Sequence, residues 1–181
     1  TSFVTIGNAD TPHGSVGQAY PQTQIEIRDT DADGIGEIWV RSPYLFEHYL
    51  QGDSPHTRRS GDWMTVGELG HLDAQGNLYI KGRAGRVITV ADQTIYPETL
   101  EAQICALTGL PFCAVIARPD PVRGYHMIAV LPGPEDAKMR MTLTAACKSN
   151  GLHAPRKIVF LDPFPLLLSG KPDISRIGTV V

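Results

Sequence analysis

Strict alternation of apolar and polar residues marks the first part of the chain. Gln24-Ile-Glu-Ile-Arg28 and Glu37-Ile-Trp-Val-Arg41 each place their apolar side chains on one face, which is typical of half-buried strands. A polar, irregular connection follows, with a short helix predicted at residues 44–50. A second strand pair is predicted over residues 70–80, around a glycine-containing turn. Residues 1–82 are therefore predicted to be all-β.

The spacing of apolar residues becomes helical further along the chain. A helix is predicted to begin at Pro97, because proline suits the first helical turn and Glu98 lies where the helix dipole favours an acid. Its apolar stripe recurs every three or four residues, at Leu100, Ile104 and Leu107. A second helix is predicted over residues 139–150, ended by Gly151.

Short apolar runs predict the strands that accompany these helices. They lie at residues 87–90, 112–117, 127–131 and 157–161. The order β-β-α-β-β-α-β describes a small α+β domain from about residue 87 onward. The boundary between the two units is placed inside Gly82-Arg-Ala-Gly-Arg86, a short basic segment with little apolar content. The fold class is predicted to be α+β.

The charge of the chain narrows the function classes. A formal net charge of −3 argues against a nucleic-acid partner. The charge is uneven, because residues 1–82 carry 5 basic and 11 acidic side chains, whereas residues 83–181 carry 11 basic and 8 acidic. We interpret this as two units with different electrostatic tasks, with ordinary solvated faces as the alternative. No run of 18 apolar residues occurs, so no membrane span is predicted.

The cysteines indicate the cellular compartment. Cys105, Cys113 and Cys147 lie scattered in apolar segments. An odd number of such thiols fits buried cysteines in a reducing environment, so a cytoplasmic location is predicted. The chain starts at Thr1 and its first methionine is Met64, so we expect it to be part of a longer protein.

An acidic segment separates the first two predicted strands. Asp29, Asp31 and Asp33, followed by Gly34, imitate the first half of a calcium loop, but the twelfth position is Val40 instead of a bidentate glutamate. A hairpin turn is therefore predicted here in preference to a metal site. The six histidines show no metal-ligand spacing, and no metal-binding residue is assigned.

Three sequence blocks, taken in order and at their separations, carry a family resemblance. They are Thr65-Val-Gly-Glu-Leu-Gly-His-Leu-Asp73, then Leu78-Tyr-Ile-Lys-Gly-Arg83 with Ile95-Tyr-Pro-Glu98, and finally Leu168-Ser-Gly-Lys171. Together they resemble the adenylate-forming superfamily of acyl-CoA synthetases, nonribosomal peptide synthetase adenylation domains and luciferases. Supporting matches are Gly14-Ser-Val-Gly17, Pro119-Asp120 and Gly124. The resemblance spans nearly the whole chain.

The resemblance implies the C-terminal third of such an enzyme. Residues 1–82 resemble the β-barrel-like end of the large AMP-binding domain, residues 83–86 its hinge, and residues 87–181 the small mobile lid. The phosphate loop and acyl pocket of the family lie upstream, so the isolated chain is expected to be inactive. The implied substrates are a carboxylic acid, ATP with its Mg²⁺, and coenzyme A or a carrier-protein pantetheine, giving an acyl-adenylate and then a thioester.

The resemblance also implies roles for four side chains. Lys171 matches the lysine that bridges the attacking carboxylate and the phosphate, and Gly170 is expected to give its loop freedom. Arg83 matches an arginine that contacts ribose and phosphate. Glu68 stands where the family usually has a ribose-binding aspartate, and Arg86 stands at the hinge position. A solvated surface side chain is the alternative for Lys171, Arg83 and Arg86, whereas Glu68 implies either a shifted pocket or reduced nucleotide affinity.

Two departures from the family pattern keep other functions open. Glu68 is one methylene longer than aspartate, and Ala91-Asp92 replaces a glycine pair beside the incoming pantetheine. Arg156 and Lys157 are considered as coenzyme A phosphate contacts, with a solvated strand edge favoured. The alternative functions are a carrier-protein-loading adenylation enzyme and a noncatalytic nucleotide-binding or interaction domain.

Overall fold

The computed structural model describes residues 3–50, 52, 54–90, 93–149 and 154–181. The chain divides into two compact units, Thr1–Arg86 and Val87–Val181. The predicted departure at Ala91-Asp92 and the predicted helix end at residues 150–151 lie outside the described residues.

The first unit is built from antiparallel strands. They are β1 Thr5–Ile6, β2 Gln18–Ala19, β3 Gln24–Arg28, β4 Gly36–Arg41, β5 Arg58–Ser60, β6 Trp63–Thr65, β7 Glu68–Leu72 and β8 Leu78–Arg83. Six of them form one sheet in the order β5-β6-β4-β7-β8, with β3 also paired to β4, while β1 and β2 form a separate pair. A 3₁₀ helix, Ala84–Arg86, ends the unit.

Strand β4 holds the sheet together because it pairs with three other strands. It pairs with β3 along its length, with β6 near its end and with β7 near its start. Its inward side chains Ile38 and Val40 form a core with Leu78. On β4 the buried Glu37 carboxylate accepts from Trp39 Nε1 at 3.1 Å and forms an ion pair with Arg58.

The structure corrects two details of the sequence interpretation. The predicted barrel-like part is an open sheet, and no closed barrel is formed by the described residues. The short helix predicted at residues 44–50 is wrong, because these residues form turns. The carbonyl groups of Phe46 and Glu47 accept from the Arg59 guanidinium, and the Tyr49 hydroxyl bonds to Thr57 Oγ1 at 2.9 Å. These side-chain contacts take the place of a helical ladder.

The second unit combines a three-stranded sheet with helices. Its elements are β9 Ile88–Val90, β10 Gln93–Ile95, α1 Pro97–Thr108, β11 Ala114–Asp120, β12 Gly124–Pro132, α2 Ala137–Ser149, β13 Lys157–Leu161 and α3 Ile174–Val180. In the sheet β11 pairs antiparallel to β12, and β13 pairs parallel to β12. Strands β9 and β10 form their own hairpin. The predicted α+β class is confirmed, and none of the helices in the described part of the chain has the length and apolar character that a membrane crossing requires.

Both faces of this sheet are covered, so residues 127–131 of β12 form an uninterrupted apolar run. One face contributes Met127, Ala129 and Leu131 to a core that includes residues of α1 and α2. The other face contributes Ile128 and Val130 to a smaller core closed by Ile177 of α3. Burial on both faces explains why the sequence here shows a continuous apolar run instead of alternation.

Helix α1 begins and ends as its sequence dictates. Pro97 occupies the first turn, and Gly109 ends the helix in the left-handed conformation, with its N–H donating to the Cys105 carbonyl at 2.9 Å. Helix α3 was not predicted, because its seven residues contain Gly178 and are too few to show helical periodicity. Its beginning is fixed by the Asp173 carboxylate, which accepts the Arg176 N–H at 3.0 Å.

The apolar stripe of α1 gives a direct test of the larger core. Ile104 is fully buried, whereas Leu107 on the same helix is 40% exposed. We expect Ile104→Ala to lower the free energy of unfolding by about 2–5 kcal/mol, since it leaves a cavity. The matched variant Leu107→Ala should cost only about 0.5–1 kcal/mol. Urea denaturation followed by circular dichroism measures both, and equal losses would contradict this packing.

Candidate active-site residues

The β7–β8 hairpin brings Glu68 and Arg83 together. They are direct partners across the antiparallel pair, and the next N–H, of Ala84, donates to the Gly67 carbonyl at 2.8 Å. Directly opposed residues project from the same face of a sheet and interact. Glu68 is half-buried and Arg83 is exposed, so the pair presents a carboxylate acceptor beside a guanidinium donor.

A β-bulge between β7 and β8 places Glu68 directly opposite Arg83. Leu69 pairs with Gly82 but Gly70 pairs with Ile80, so Lys81 is an extra residue on β8. Without that extra residue Glu68 would face Gly82, and Arg83 would lie beyond the pair. Gly70 has no room for a Cβ because the carbonyl oxygen of Tyr79 occupies that space. Bulges commonly re-aim a side chain beside a functional site.

The turn of the hairpin is held by Asp73. Its carboxylate accepts the backbone N–H groups of Gln75 at 2.9 Å and Asn77 at 2.8 Å, and the Asn77 side chain donates at 2.8 Å. The Asn77 side-chain bond, with these backbone bonds, holds the pKa of Asp73 below its ordinary value despite partial burial. The hairpin that carries Glu68 and Arg83 is therefore fixed at its closed end.

A mostly apolar cavity of about 300 Å³ lies beside Glu68 in the first unit. Its walls include the buried side chains Ile38, Val40, Met64 and Leu78, together with the exposed Ile80. Glu68 is the ionisable residue of this lining. A carboxylate at the edge of an apolar wall can accept hydrogen bonds from hydroxyl groups of a ligand that also presents a flat or apolar surface.

His56 packs against the two glycines that flank this pair. A Cβ on Gly67 would lie 2.7 Å from His56 Cβ, and a Cβ on Gly85 would lie 2.6 Å from both Cε1 and Nε2 of the ring. His56 therefore fills the space over the start of β7 and over the 3₁₀ helix. From the sequence, the histidines were considered only as metal ligands, so the packing of His56 against these glycines was not predicted. The available signal was a glycine on each side of the Glu68–Arg83 hairpin.

Arg86 is the last residue of the 3₁₀ helix and of the first unit. This helix has three residues, none of them buried. Short 3₁₀ segments are common as connectors between elements, and the hinge role of Arg86 stays a prediction.

Lys171 belongs to the second unit and lies on a tight turn. The Gly170 N–H donates to the Leu167 carbonyl at 2.9 Å, and the Leu167 N–H donates to the Lys171 carbonyl at 2.8 Å. Gly170 has a φ of 81°, which the turn requires. The left-handed φ uses the backbone freedom expected of Gly170, and movement of the loop stays a prediction. The backbone of Lys171 is anchored while its side chain is exposed.

Comparison with known proteins places this geometry in a family. The uncharacterized acyl–CoA ligase YhfT of Bacillus subtilis is 35% identical, over 97% of this chain and 37% of its own length. The 2-succinylbenzoate–CoA ligase of Lactococcus lactis is also 35% identical, over 93% of this chain and 36% of its own. The chain belongs to the adenylate-forming superfamily. No family model matches the sequence.

Solved structures agree with this membership of the adenylate-forming superfamily. The o-succinylbenzoate-CoA synthetase of Bacillus subtilis, in complex with its acyl-adenylate intermediate, superposes with a TM-score of 0.76 at 26% identity, over 91% of this chain and 35% of that one. The amide bond synthetase McbA of Marinactinospora thermotolerans gives 0.73 at 27% identity, over 92% and 36%. The chain thus spans about a third of the length of the relatives it matches and corresponds to their C-terminal portion.

The remaining candidates considered in the sequence are Arg156 and Lys157. Arg156 Nη1 donates to the Asp120 carboxylate at 2.6 Å. The pKa of Asp120 is lowered, mainly by hydrogen bonds from the backbone N–H groups of Val122 and Arg123 and to a smaller extent by the charge of Arg156. Lys157 is exposed at the start of β13.

The calcium-like segment forms a turn between β3 and β4. Asp31 accepts the backbone N–H groups of Asp33 and Ile35, as the predicted hairpin requires. Within the described ranges, no group of three or more histidine, cysteine or acidic side chains is arranged to hold a metal.

The contact of His56 with Gly85 gives a double-mutant test. The φ of Gly85 is one that alanine adopts, so only the ring of His56 opposes a Cβ there. We expect Gly85→Ala to lower stability by at most about 1 kcal/mol, because the exposed ring of His56 can turn aside, and to cost less once His56→Ala has vacated the space. Thermal unfolding of the single and double variants measures the coupling.

Gly178→Ala is the control for this cycle, because nothing lies within 4 Å of a Cβ at that position. It should be neutral or slightly stabilising. The same loss for Gly85→Ala with and without His56 would show that the ring does not occupy this space.

Proposed function

We propose that this chain is the C-terminal part of an ATP-dependent acid–thiol ligase that forms an acyl-adenylate and then a thioester. The observation that carries the proposal is the pairing of Glu68 with Arg83 at the open end of a fixed hairpin, in a chain related to acyl-CoA ligases. The nucleotide, the acid and the thiol are all substrates of this reaction.

In the first unit, Glu68 and Arg83 bind the nucleotide. The Glu68 carboxylate accepts hydrogen bonds from ribose hydroxyls, and the Arg83 guanidinium donates to ribose and phosphate oxygens. Carboxylate and guanidinium chemistry fits both partners. The half-buried position of Glu68 beside the apolar cavity offsets its additional methylene, because the wall sets how far the carboxylate reaches. Mg²⁺ enters with ATP and is not assigned a protein ligand here.

Lys171 acts on the first chemical step. An oxygen of the substrate carboxylate attacks the α-phosphorus of ATP, the bond to pyrophosphate breaks, and an acyl-adenylate forms. The two reactants are both anionic, so a positioned ammonium group lowers the barrier by neutralising charge. One such preorganised donor is worth about 3–4 kcal/mol. In the second step the thiol sulfur attacks the acyl carbon and AMP leaves.

The domain assignment is part of the same proposal. Residues 1–82 form the end of the large domain, residues 83–86 the hinge and residues 87–181 the mobile small domain. Two observations support a hinge at Arg86. Each unit has its own hydrophobic core, and the 3₁₀ helix at the boundary buries none of its residues. A rotation there leaves both hydrophobic cores intact.

Coenzyme A is the proposed acceptor because the named relatives are CoA ligases. A carrier-protein pantetheine is the alternative thiol. The similarity to an amide bond synthetase adds an amine as a third acceptor. Supplying acyl-adenylate with each acceptor in turn, and following AMP release, separates the three. Absence of adenylate formation with any acid would favour the noncatalytic nucleotide-binding alternative.

Lys171→Ala tests the proposed role in a full-length enzyme carrying this sequence. We expect carboxylate-dependent ATP–pyrophosphate exchange to fall by a factor on the order of 10²–10³, since the charge-neutralising donor is lost. Thiol attack on a supplied acyl-adenylate should be largely retained. The two half-reactions are measured separately on the same preparation.

Lys138→Ala provides the matched control, since it removes another exposed lysine from the same unit. Both half-reactions should be unchanged in this variant. Equal loss of the two half-reactions in Lys171→Ala, or no loss in either, would refute the role given to Lys171.

The 181 residues alone should not catalyse adenylation. The proposed nucleotide contacts Glu68 and Arg83 do not by themselves hold a triphosphate for attack, and the phosphate loop implied by the family resemblance is not among these residues. Pyrophosphate exchange assayed with the isolated chain checks this expectation, and measurable turnover would overturn it.

A further inference from the structure

Two thiols of the second unit face each other across the end of α1. Cys105 lies on α1, Cys113 lies just before β11, and their Sγ atoms are 3.8 Å apart. Cys113 is 3% exposed, while Cys105 is half-buried. The outer thiol can therefore meet a small solute, and the inner one lies directly behind it.

The backbone around this pair is anchored on both sides. On the helix, the carbonyl of Cys105 accepts the N–H of Gly109 at 2.9 Å. Across to the strand, Glu101 Oε1 accepts the Val115 N–H at 2.7 Å, which fixes α1 against the start of β11. The separation of the two sulfur atoms is thus set by the fold and does not depend on an unanchored loop.

A disulfide requires the two sulfur atoms to approach to about 2.05 Å. The approach from 3.8 Å is within the reach of side-chain rotation at Cys105, whose side chain is partly exposed at the surface of α1. Cys113 Sγ donates to the Glu101 carbonyl at 3.5 Å, and a thiol is a weak donor.

We propose that Cys105 and Cys113 form a reversible intramolecular disulfide when the protein meets a peroxide. The Cys105 thiolate attacks one oxygen of hydrogen peroxide, the O–O bond breaks, and a sulfenic acid and water form. The Cys113 sulfur then attacks the Cys105 sulfur, its thiol proton passes to the departing oxygen, the S–O bond breaks, and a second water forms. Two thiols lose two electrons and two protons, and one peroxide is reduced to two waters.

Cys147 is the internal control for this chemistry. It is 1% exposed in the same core, and burial raises the pKa of its thiol above the ordinary value. A buried thiol with less thiolate reacts slowly with peroxide. The Cys105–Cys113 pair is therefore expected to react selectively, because its sulfur atoms are close together and Cys105 is partly exposed.

The experiment uses the 181-residue chain and hydrogen peroxide. After denaturation, thiol titration of the oxidised protein should show the loss of two of the three thiols, and dithiothreitol should restore them. Peptide mapping should find Cys105 linked to Cys113. The pair should be lost on the order of tenfold faster than Cys147.

Two cysteine variants identify which thiols react, and the decisive outcomes are measured on the unmodified chain. Cys147→Ser should lose both of its thiols as the unmodified chain does, and Cys105→Ser should form no intramolecular link. Circular dichroism confirms that each variant is folded. Three outcomes measured on the unmodified chain would overturn the proposal: three retained thiols, a link that includes Cys147, or irreversible oxidation of Cys105 with no link. None of these readouts depends on the proposed ligase activity.

Discussion

Backbone hydrogen bonds between β7 and β8 fix which side chains stand opposite each other at the open end of the hairpin. The single extra residue, Lys81, shifts the register so that Arg83 meets Glu68. At the closed end Asp73 ties the turn, and beside the open end His56 fills the space over Gly67 and Gly85. An acceptor and a fork-shaped donor are thus held as a pair by secondary structure, before any ligand arrives.

In the second unit, the position of Lys171 follows from how the helices cover the sheet. Its sheet is apolar on both faces, so helices must cover both, and α3 is the element that closes the smaller core through Ile177. The segment leading into α3 has to reverse direction, which it does through the turn ending at Gly170. The position of Lys171 therefore follows from the turn that brings α3 back to the sheet.

Patterns with local causes were predictable from the sequence. The hairpin β3–β4 follows from strict alternation, and α1 follows from Pro97 and an apolar stripe. The buried strands β11, β12 and β13 were visible as apolar runs. The family resemblance supplied Glu68, Arg83 and Lys171, which local patterns alone would have left as surface residues.

Features with long-range causes were not predictable. The contact of His56 with Gly85 joins residues far apart in the chain, and the bulge at Lys81 depends on the partner strand. The helix expected at residues 44–50 failed because Arg59, from a later strand, binds the carbonyl groups that a helix would use. Local propensity cannot report which distant side chain will compete for a backbone group.

The anchored turn before α3 bears on how an ammonium group reaches a reaction centre. A floppy loop would lose backbone conformational entropy each time it was ordered, roughly 1–2 kcal/mol for every residue fixed. Here the residues around Lys171 are ordered in advance by their own hydrogen bonds. What is left to restrain is the aliphatic stem of one lysine, which costs up to about 1.5–2 kcal/mol, less than ordering several loop residues would cost.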